Sequence, residues 1–186
     1  MIRRDFLLGL AAGTAVLLLP EEVQAAGILS PGNNVSFKCL GSIQGPRYLD
    51  GRTANATVGL APNLSTKFSG TKWRVLNGGA PDVVALRCMG TENGSRFLNG
   101  RTQDGSVDLA PHTNRPYTGT RWRVVALDQN HPNIIALKCL GEIKGAQWLD
   151  GRTQNSSVGL ARTTDPPYTG THWEVSLYPV LFDDNG

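Results

Sequence analysis

Lys138 to Val175 reads KCLGEIKGAQWLDGRTQNSSVGLARTTDPPYTGTHWEV, and the chain carries this pattern three times. Lys38 to Val75 reads KCLGSIQGPRYLDGRTANATVGLAPNLSTKFSGTKWRV, and Arg87 to Val124 reads RCMGTENGSRFLNGRTQDGSVDLAPHTNRPYTGTRWRV. The copies align without a gap at spacings of 49 and 51 residues, and the last two are identical at 20 of 38 positions. Chance does not supply that agreement, so the chain is an internal triplication, with repeats at about 30–79, 80–128 and 129–178.

Within each copy the apolar residues alternate, which is the period of a strand and not of a helix. Val35, Phe37 and Cys39 correspond to Val84, Leu86 and Cys88 and to Ile135, Leu137 and Cys139. One face of a first strand is therefore apolar in every copy, and Ser36 and Lys38 are expected to face away. A second strand carries Leu49, Leu98 or Leu149, and a third Val58-x-Leu60, Val107-x-Leu109 or Val158-x-Leu160. A fourth carries Trp73-x-Val75, Trp122-x-Val124 or Trp173-x-Val175, and the three Trp are expected in the core. The 22 Gly and 11 Pro, spread in turn-like contexts, supply the reversals between strands.

Four strands in each of three copies of about 50 residues make twelve strands, an arithmetic that resembles the β-trefoil. Propeller blades are of similar length, but propellers have at least four of them and this chain has no room for a fourth. The expected fold is all-β, a β-trefoil of twelve strands. That resemblance implies six strands closing a short barrel and six forming hairpins across one end.

The ricin-type lectin family of trefoils carries in each repeat a Cys-Leu-Asp-like strand, a Gly-x-Val-x-Leu-Trp strand and a closing Gln-x-Trp. The first copy resembles it in Leu49-Asp50, Val58-Gly59-Leu60 and Thr71-Lys72-Trp73. The family's sugar sites use the strand-two acid, an aromatic platform after strand three and an Asn near the closing Trp. Here the acid matches at Asp50 and Asp150, and Asn99 replaces it in the second copy. The platform positions hold Ala61, Ala110 and Ala161, and the Asn positions hold Gly70, Gly119 and Gly170. The resemblance thus implies a lectin fold with two of three family contacts missing, and trefoils also serve as protease inhibitors, growth factors and actin-binding proteins.

The residues themselves offer another constellation. With Leu49 pointing inward, alternation puts Tyr48, Asp50 and Arg52 on one face, and likewise Phe97, Asn99 and Arg101, then Trp148, Asp150 and Arg152. A ring to stack on a pyranose, a carboxylate to accept from vicinal hydroxyls and a guanidinium to donate form a sugar-binding set. Two alternatives stay open: a bulge at Gly51 would turn Arg52 to the other face, and the arginines equally suit structural ion pairs with the neighbouring acid. A second aromatic series, Phe68, Tyr117 and Tyr168, stands in the long third loop, either as platforms near the acids or as covers of the barrel mouth. On this set the third copy is expected to bind best, since it alone joins an indole to the acid, and the second copy is expected to have lost the charge that accepts from two hydroxyls at once.

Cys39, Cys88 and Cys139 take one equivalent position on the apolar face, which suits small buried free thiols. One disulfide with an odd thiol, or a three-thiolate metal site, is the competing reading, though no His recurs beside them. His112, His131 and His172 fall at non-equivalent positions. No GxSxG, HExxH or phosphate loop is present, no second carboxylate keeps a fixed spacing for glycoside chemistry, and no cofactor or metal is expected. The chain reads as a non-enzyme.

Residues 1–25 read as an export signal. Arg3 and Arg4 precede an apolar stretch from Phe6 to Leu19, 14 residues against the roughly 20 that span a bilayer, and Val23-Gln24-Ala25 suits cleavage. Arg3-Arg4-Asp5-Phe6-Leu7 resembles the bacterial twin-arginine signal, with an ordinary signal for the unfolded chain or a retained anchor as the alternatives. Removing it leaves 16 Lys+Arg against 12 Asp+Glu, a charge of +4 that is too small and too evenly spread for nucleic acid. The expected protein, residues 26–186, is an exported monomeric single domain with no stable membrane insertion and a glycan or polysaccharide partner. A protein-binding or inhibitory trefoil is the alternative.

Overall fold

A computed structural model describes residues 27–178, so residues 1–25, expected to be an export signal, lie outside the described residues. Twelve strands form one sheet. In the first repeat they are β1 (Asn34–Cys39), β2 (Tyr48–Arg52), β3 (Thr57–Ala61) and β4 (Trp73–Ala80); in the second, β5 (Val83–Cys88), β6 (Phe97–Arg101), β7 (Ser106–Ala110) and β8 (Trp122–Ala126); in the third, β9 (Ile134–Cys139), β10 (Trp148–Arg152), β11 (Ser157–Ala161) and β12 (Trp173–Leu177). Short 3-10 turns precede β4, β8 and β12.

The pairings define two layers. β1, β4, β5, β8, β9 and β12 pair in sequence around a closed ring. The hairpins β2–β3, β6–β7 and β10–β11 are joined through β3, β7 and β11, which pair with one another at single positions. Ring closure leaves these strands without a free edge, the feature that otherwise invites edge-to-edge aggregation.

The core follows the alternation. Val35, Phe37, Cys39, Leu49, Trp73 and Val75 are fully buried, as are their counterparts Leu86, Cys88, Leu98, Trp122, Ile135, Leu137, Cys139, Leu149, Trp173 and Val175. Each buried indole also needs a partner for its N–H. Trp73, Trp122 and Trp173 Nε1 donate to the carbonyls of Leu49, Leu98 and Leu149, each at 3.0 Å. Of the two residues expected to face away, Lys38 is open to solvent, with its side chain 42% exposed, whereas Ser36 is buried, as are its counterparts Ala85 and Ala136, so that face is covered at this one position and takes a small side chain there.

Candidate functional site

The hairpin ladder settles the face of the Asp-Gly-Arg residues. Asp50 pairs with Gly59, Gly51 with Val58 and Arg52 with Thr57 in unbroken register, so there is no bulge at Gly51 and Asp50 shares a face with Arg52. The same register holds at Asp150, Gly151 and Arg152. Asp50 and Asp150 are 7% and 6% exposed, with Arg52 and Arg152 Nε 3.7 and 3.6 Å from their Oδ2 atoms. Burial raises both carboxyls above the ordinary aspartate range, and the neighbouring guanidinium opposes that rise.

The second repeat reaches the same charges by another route. Asn99 pairs across the hairpin with Asp108, where the other repeats have Gly59 and Gly159. Asn99 Nδ2 donates to Asp108 Oδ1 at 2.7 Å, and Arg101 Nε donates to Asp108 Oδ2 at 2.8 Å. The carboxylate missing from strand two is therefore present on strand three, and the expectation of a lost charge in this copy is corrected.

Two matching clefts open beside these groups. One, of about 280 Å³, is lined by Asn99, Arg101, Thr102, Gln103, Tyr117 and Ile143 among others; the second, of about 260 Å³, by Asp150, Arg152, Thr153, Gln154, Tyr168 and Ile43 among others. Both lie near the lower end of small-ligand pocket volumes, roughly 300 Å³. Their aromatic walls are Tyr117 and Tyr168 of the third loop. His112 packs edge-on to Tyr117, with ring centroids 5.0 Å apart, whereas Tyr168 is exposed.

Tyr48, Phe97 and Trp148 are not among the lining residues of these clefts. They are half-buried, paired across the strands with Lys38, Arg87 and Lys138, and Lys138 Nζ stands 5.4 Å from the Trp148 ring centroid. The structure thus brings Asp150 and Arg152 together with Tyr168, and Asn99 and Arg101 together with Tyr117. The strand aromatic starts the same strand two positions earlier, and in the third repeat it packs on a cation.

The departures from the lectin pattern have a steric cause. A Cβ on Gly170 would meet the carbonyl of Gly151 and stand 2.5 Å from Asp150 Oδ1, and Gly70 and Gly119 are equally crowded by Gly51, Asp50, Gly100 and Asn99. No Asn side chain fits there. Ala61, Ala110 and Ala161 are buried opposite Tyr48, Phe97 and Trp148 in the ladder, so they offer no exposed platform.

The cysteines are free and hold the repeats together behind the clefts. The Sγ–H of Cys39 donates to Gly151 O at 3.4 Å, that of Cys88 to Gly51 O at 3.3 Å and that of Cys139 to Gly100 O at 3.4 Å. Burial pushes all three thiols up, Cys139 to about 11. Such thiols are poor nucleophiles and poor metal ligands at neutral pH.

No protein-family model matches the chain, and no curated protein matches it in sequence. Solved structures do. The BEL β-trefoil superimposes with a TM-score of 0.57 at 14% identity, over 80% of this chain and 94% of that one. The fold is shared with a β-trefoil. A Polyporus squamosus lectin solved with a Neu5Acα2-6Galβ1-4GlcNAc epitope gives 0.56 at 12% identity, over 79% of this chain and 49% of that one. A proteinase inhibitor from Coprinopsis cinerea gives 0.53 at 12%, over 76% and 96%. A Clostridium perfringens endo-β-galactosidase gives 0.58 at 14%, and the chain spans about a third of that protein's length, 33%. Identities this low carry the fold and nothing of ligand or activity. Among the described residues no helix is long and apolar enough to cross a membrane.

Proposed function

We propose that the chain is an exported, non-catalytic carbohydrate-binding module: a β-trefoil of three repeats whose glycan sites are the clefts over Asp150 and Arg152, over Asn99, Arg101 and Asp108, and over Asp50 and Arg52. The observation that carries this reading is the repetition of one arrangement in two clefts, each joining a guanidinium and its strand-two partner, Asp150 with Arg152 or Asn99 with Arg101, to a Tyr side chain, with Asp108 bonded to the second pair from behind. A sheltered carboxylate accepts from two adjacent hydroxyls, the guanidinium donates to ring or acidic oxygens, and the ring covers the apolar face of a pyranose. Open single sites of this kind hold one sugar at around millimolar strength, worth about 4 kcal/mol, and several on one rigid body raise avidity by roughly 10² on a multivalent glycan.

The test is titration of the purified protein with neutral and acidic polysaccharides, alongside Asp150→Ala, Tyr168→Ala and Trp148→Ala. Loss of binding in the first two, with the fold kept by circular dichroism, supports the reading. Trp148→Ala is expected to have the smaller effect, because Trp148 packs on Lys138 and not into the cleft. Wild type that binds none of the glycans sinks it.

One observation favours the alternative of a protein-binding trefoil. The copy-specific loops line irregular grooves away from these clefts: Pro81 and Asp82 join Leu29, Pro31 and Val84 in one of about 670 Å³, and His131 and Pro132 join Ile28 and Leu177 in one of about 650 Å³. Inhibition of a protease by the protein, abolished by substitution at Pro81 and Asp82, would establish that reading instead. Export rests on residues 1–25, and replacing Arg3 and Arg4 by Lys is expected to keep the protein in the cytoplasm if the twin-arginine route is used.

A further inference from the structure

Each cleft is completed by the next repeat. The first strand of a repeat leaves the barrel through a short loop, and that loop returns over the Asp-Gly-Arg-Thr segment of the repeat before it. Thr102 Oγ1 donates to Ile143 O at 2.5 Å, and Thr153 Oγ1 donates to Ile43 O at 2.6 Å. Ser42 N donates to Thr169 Oγ1 at 3.2 Å and Glu142 N to Thr118 Oγ1 at 3.3 Å, which ties the same loop to the one carrying the cleft tyrosine. The isoleucines are thus held from both sides by backbone contacts, while their side chains stay in water.

Large exposed apolar side chains are few. Among the described residues they are Ile43 and Ile143, 53% and 55% exposed, with Tyr168 and Leu177. Three of these four line the two clefts. The position is not apolar by structural demand, since its first-cleft counterpart is Glu92, held in the same way by Thr53 Oγ1 at 2.7 Å. An isoleucine kept rigid and wet beside a polar cleft floor calls for an apolar group on whatever binds.

We infer that Ile143 and Ile43 are binding residues of the second and third clefts, contributed across the repeat boundary, and that they select a pyranose bearing a methyl group, an N-acetylhexosamine or a 6-deoxyhexose. This rests on the glycan reading of the clefts. The floor of each cleft offers hydrogen-bond partners to hydroxyls, but the isoleucine offers none. A hydroxyl pressed against it loses its water without compensation, whereas a methyl gains by burial, worth roughly fourfold in affinity. The proposed site over Asp50 and Arg52 has Glu92 in place of this wall, so methyl selection belongs to two sites and not three.

The experiment compares N-acetylglucosamine with glucose, and L-fucose with L-galactose, by NMR titration of the purified protein. Wild type, Ile43→Ser/Ile143→Ser and Glu92→Ile are each titrated. Wild type is expected to favour the methyl-bearing member of at least one pair about fourfold, and the pair that shows it identifies which sugar supplies the methyl. The double variant is expected to lose that ratio while still binding, and Glu92→Ile to bring the Asp50 cleft into the titration. The isoleucines are exposed, so the double variant keeps its fold, and an unchanged melting temperature checks this. Binding without a methyl preference, or a preference that survives in the double variant, overturns this inference and leaves the glycan reading standing. Absence of any sugar binding by wild type overturns both.

Discussion

In the third repeat the carboxylate of the cleft floor is Asp150 on β10, and the residue facing it on β11 is Gly159. In the second repeat β6 carries Asn99, and the carboxylate, Asp108, has moved across the ladder to β7. The cross-strand pair, not the single position, is what holds the charge. The exchange also changes the cation. A Cβ on Gly159 would stand 2.9 Å from Arg152 Nη2, so that guanidinium extends over bare backbone and meets its acid only at 3.6 Å. Arg101 instead meets a carboxylate in the place of that glycine, at 2.8 Å from its Nε. The third cleft therefore leaves its charged groups less engaged with each other, although its acid is the more buried, with the Asp150 side chain 9% exposed against 25% for Asp108.

The largest expected effect tests whether the two repeats are equivalent below the clefts. Trp122→Ala and Trp173→Ala remove fully buried indoles with matching hydrogen bonds, and each is expected to destabilise by about 3–5 kcal/mol in urea unfolding. A difference between them beyond about 1 kcal/mol would mean that the repeats carry unequal loads, and the comparison of clefts would then need a correction for the scaffold.

A smaller effect addresses the clefts directly. Asp150→Asn is expected to weaken glycan binding at the third cleft by about tenfold, the loss of a hydrogen bond to a charged group. The paired exchange Asn99→Asp with Asp108→Gly gives the second cleft the third's arrangement, and chemical-shift titration is expected to show its affinity rising toward that of the third. If the exchange leaves the second cleft unchanged, the placement of the carboxylate is not what separates them.

The smallest effect is in pH dependence. The Asp150 carboxyl is raised by burial, so on acidification it protonates before an ordinary aspartate, and glycan affinity at this cleft is expected to begin falling at higher pH. Stability moves the other way. Because the folded value lies above the unfolded one, this group's favourable contribution is complete below the unfolded value and is lost as pH rises through the folded value. Melting curves of wild type and Asp150→Asn across the carboxylate range are expected to converge at the acid end once unfolding of other groups is subtracted, with the variant the more stable near neutrality.

The strands were legible because period-two alternation is a local property, and the triplication repeated the signal three times. The Asp-Gly-Arg face was legible once the register was known to be unbroken. What stayed hidden depends on contacts between repeats. Asp108 replaces the missing acid only through pairing with Asn99, and Ile43 reaches Thr153 from 110 positions away. Trp148 was a natural candidate for stacking by its size, but its ring lies beside the cross-strand Lys138 and not in the cleft lining. Sequence reading did name the loop series Phe68, Tyr117 and Tyr168, and the cleft aromatics come from it.

The cysteine contacts run in one direction around the molecule: the second repeat's thiol on the first repeat, the third's on the second, and the first's on the third. β1 pairs with β12 along five positions, and Tyr178 N donates to Asn34 O at 2.8 Å, so the two ends of the described chain meet. A linear repeat array has outermost units that can fray or be deleted one at a time. This ring has none, so each repeat is an interior neighbour of the other two and the unit that melts is the whole circle. Its starting point is arbitrary, and a circularly permuted chain that opens at the second repeat and joins the old ends retains every one of these contacts.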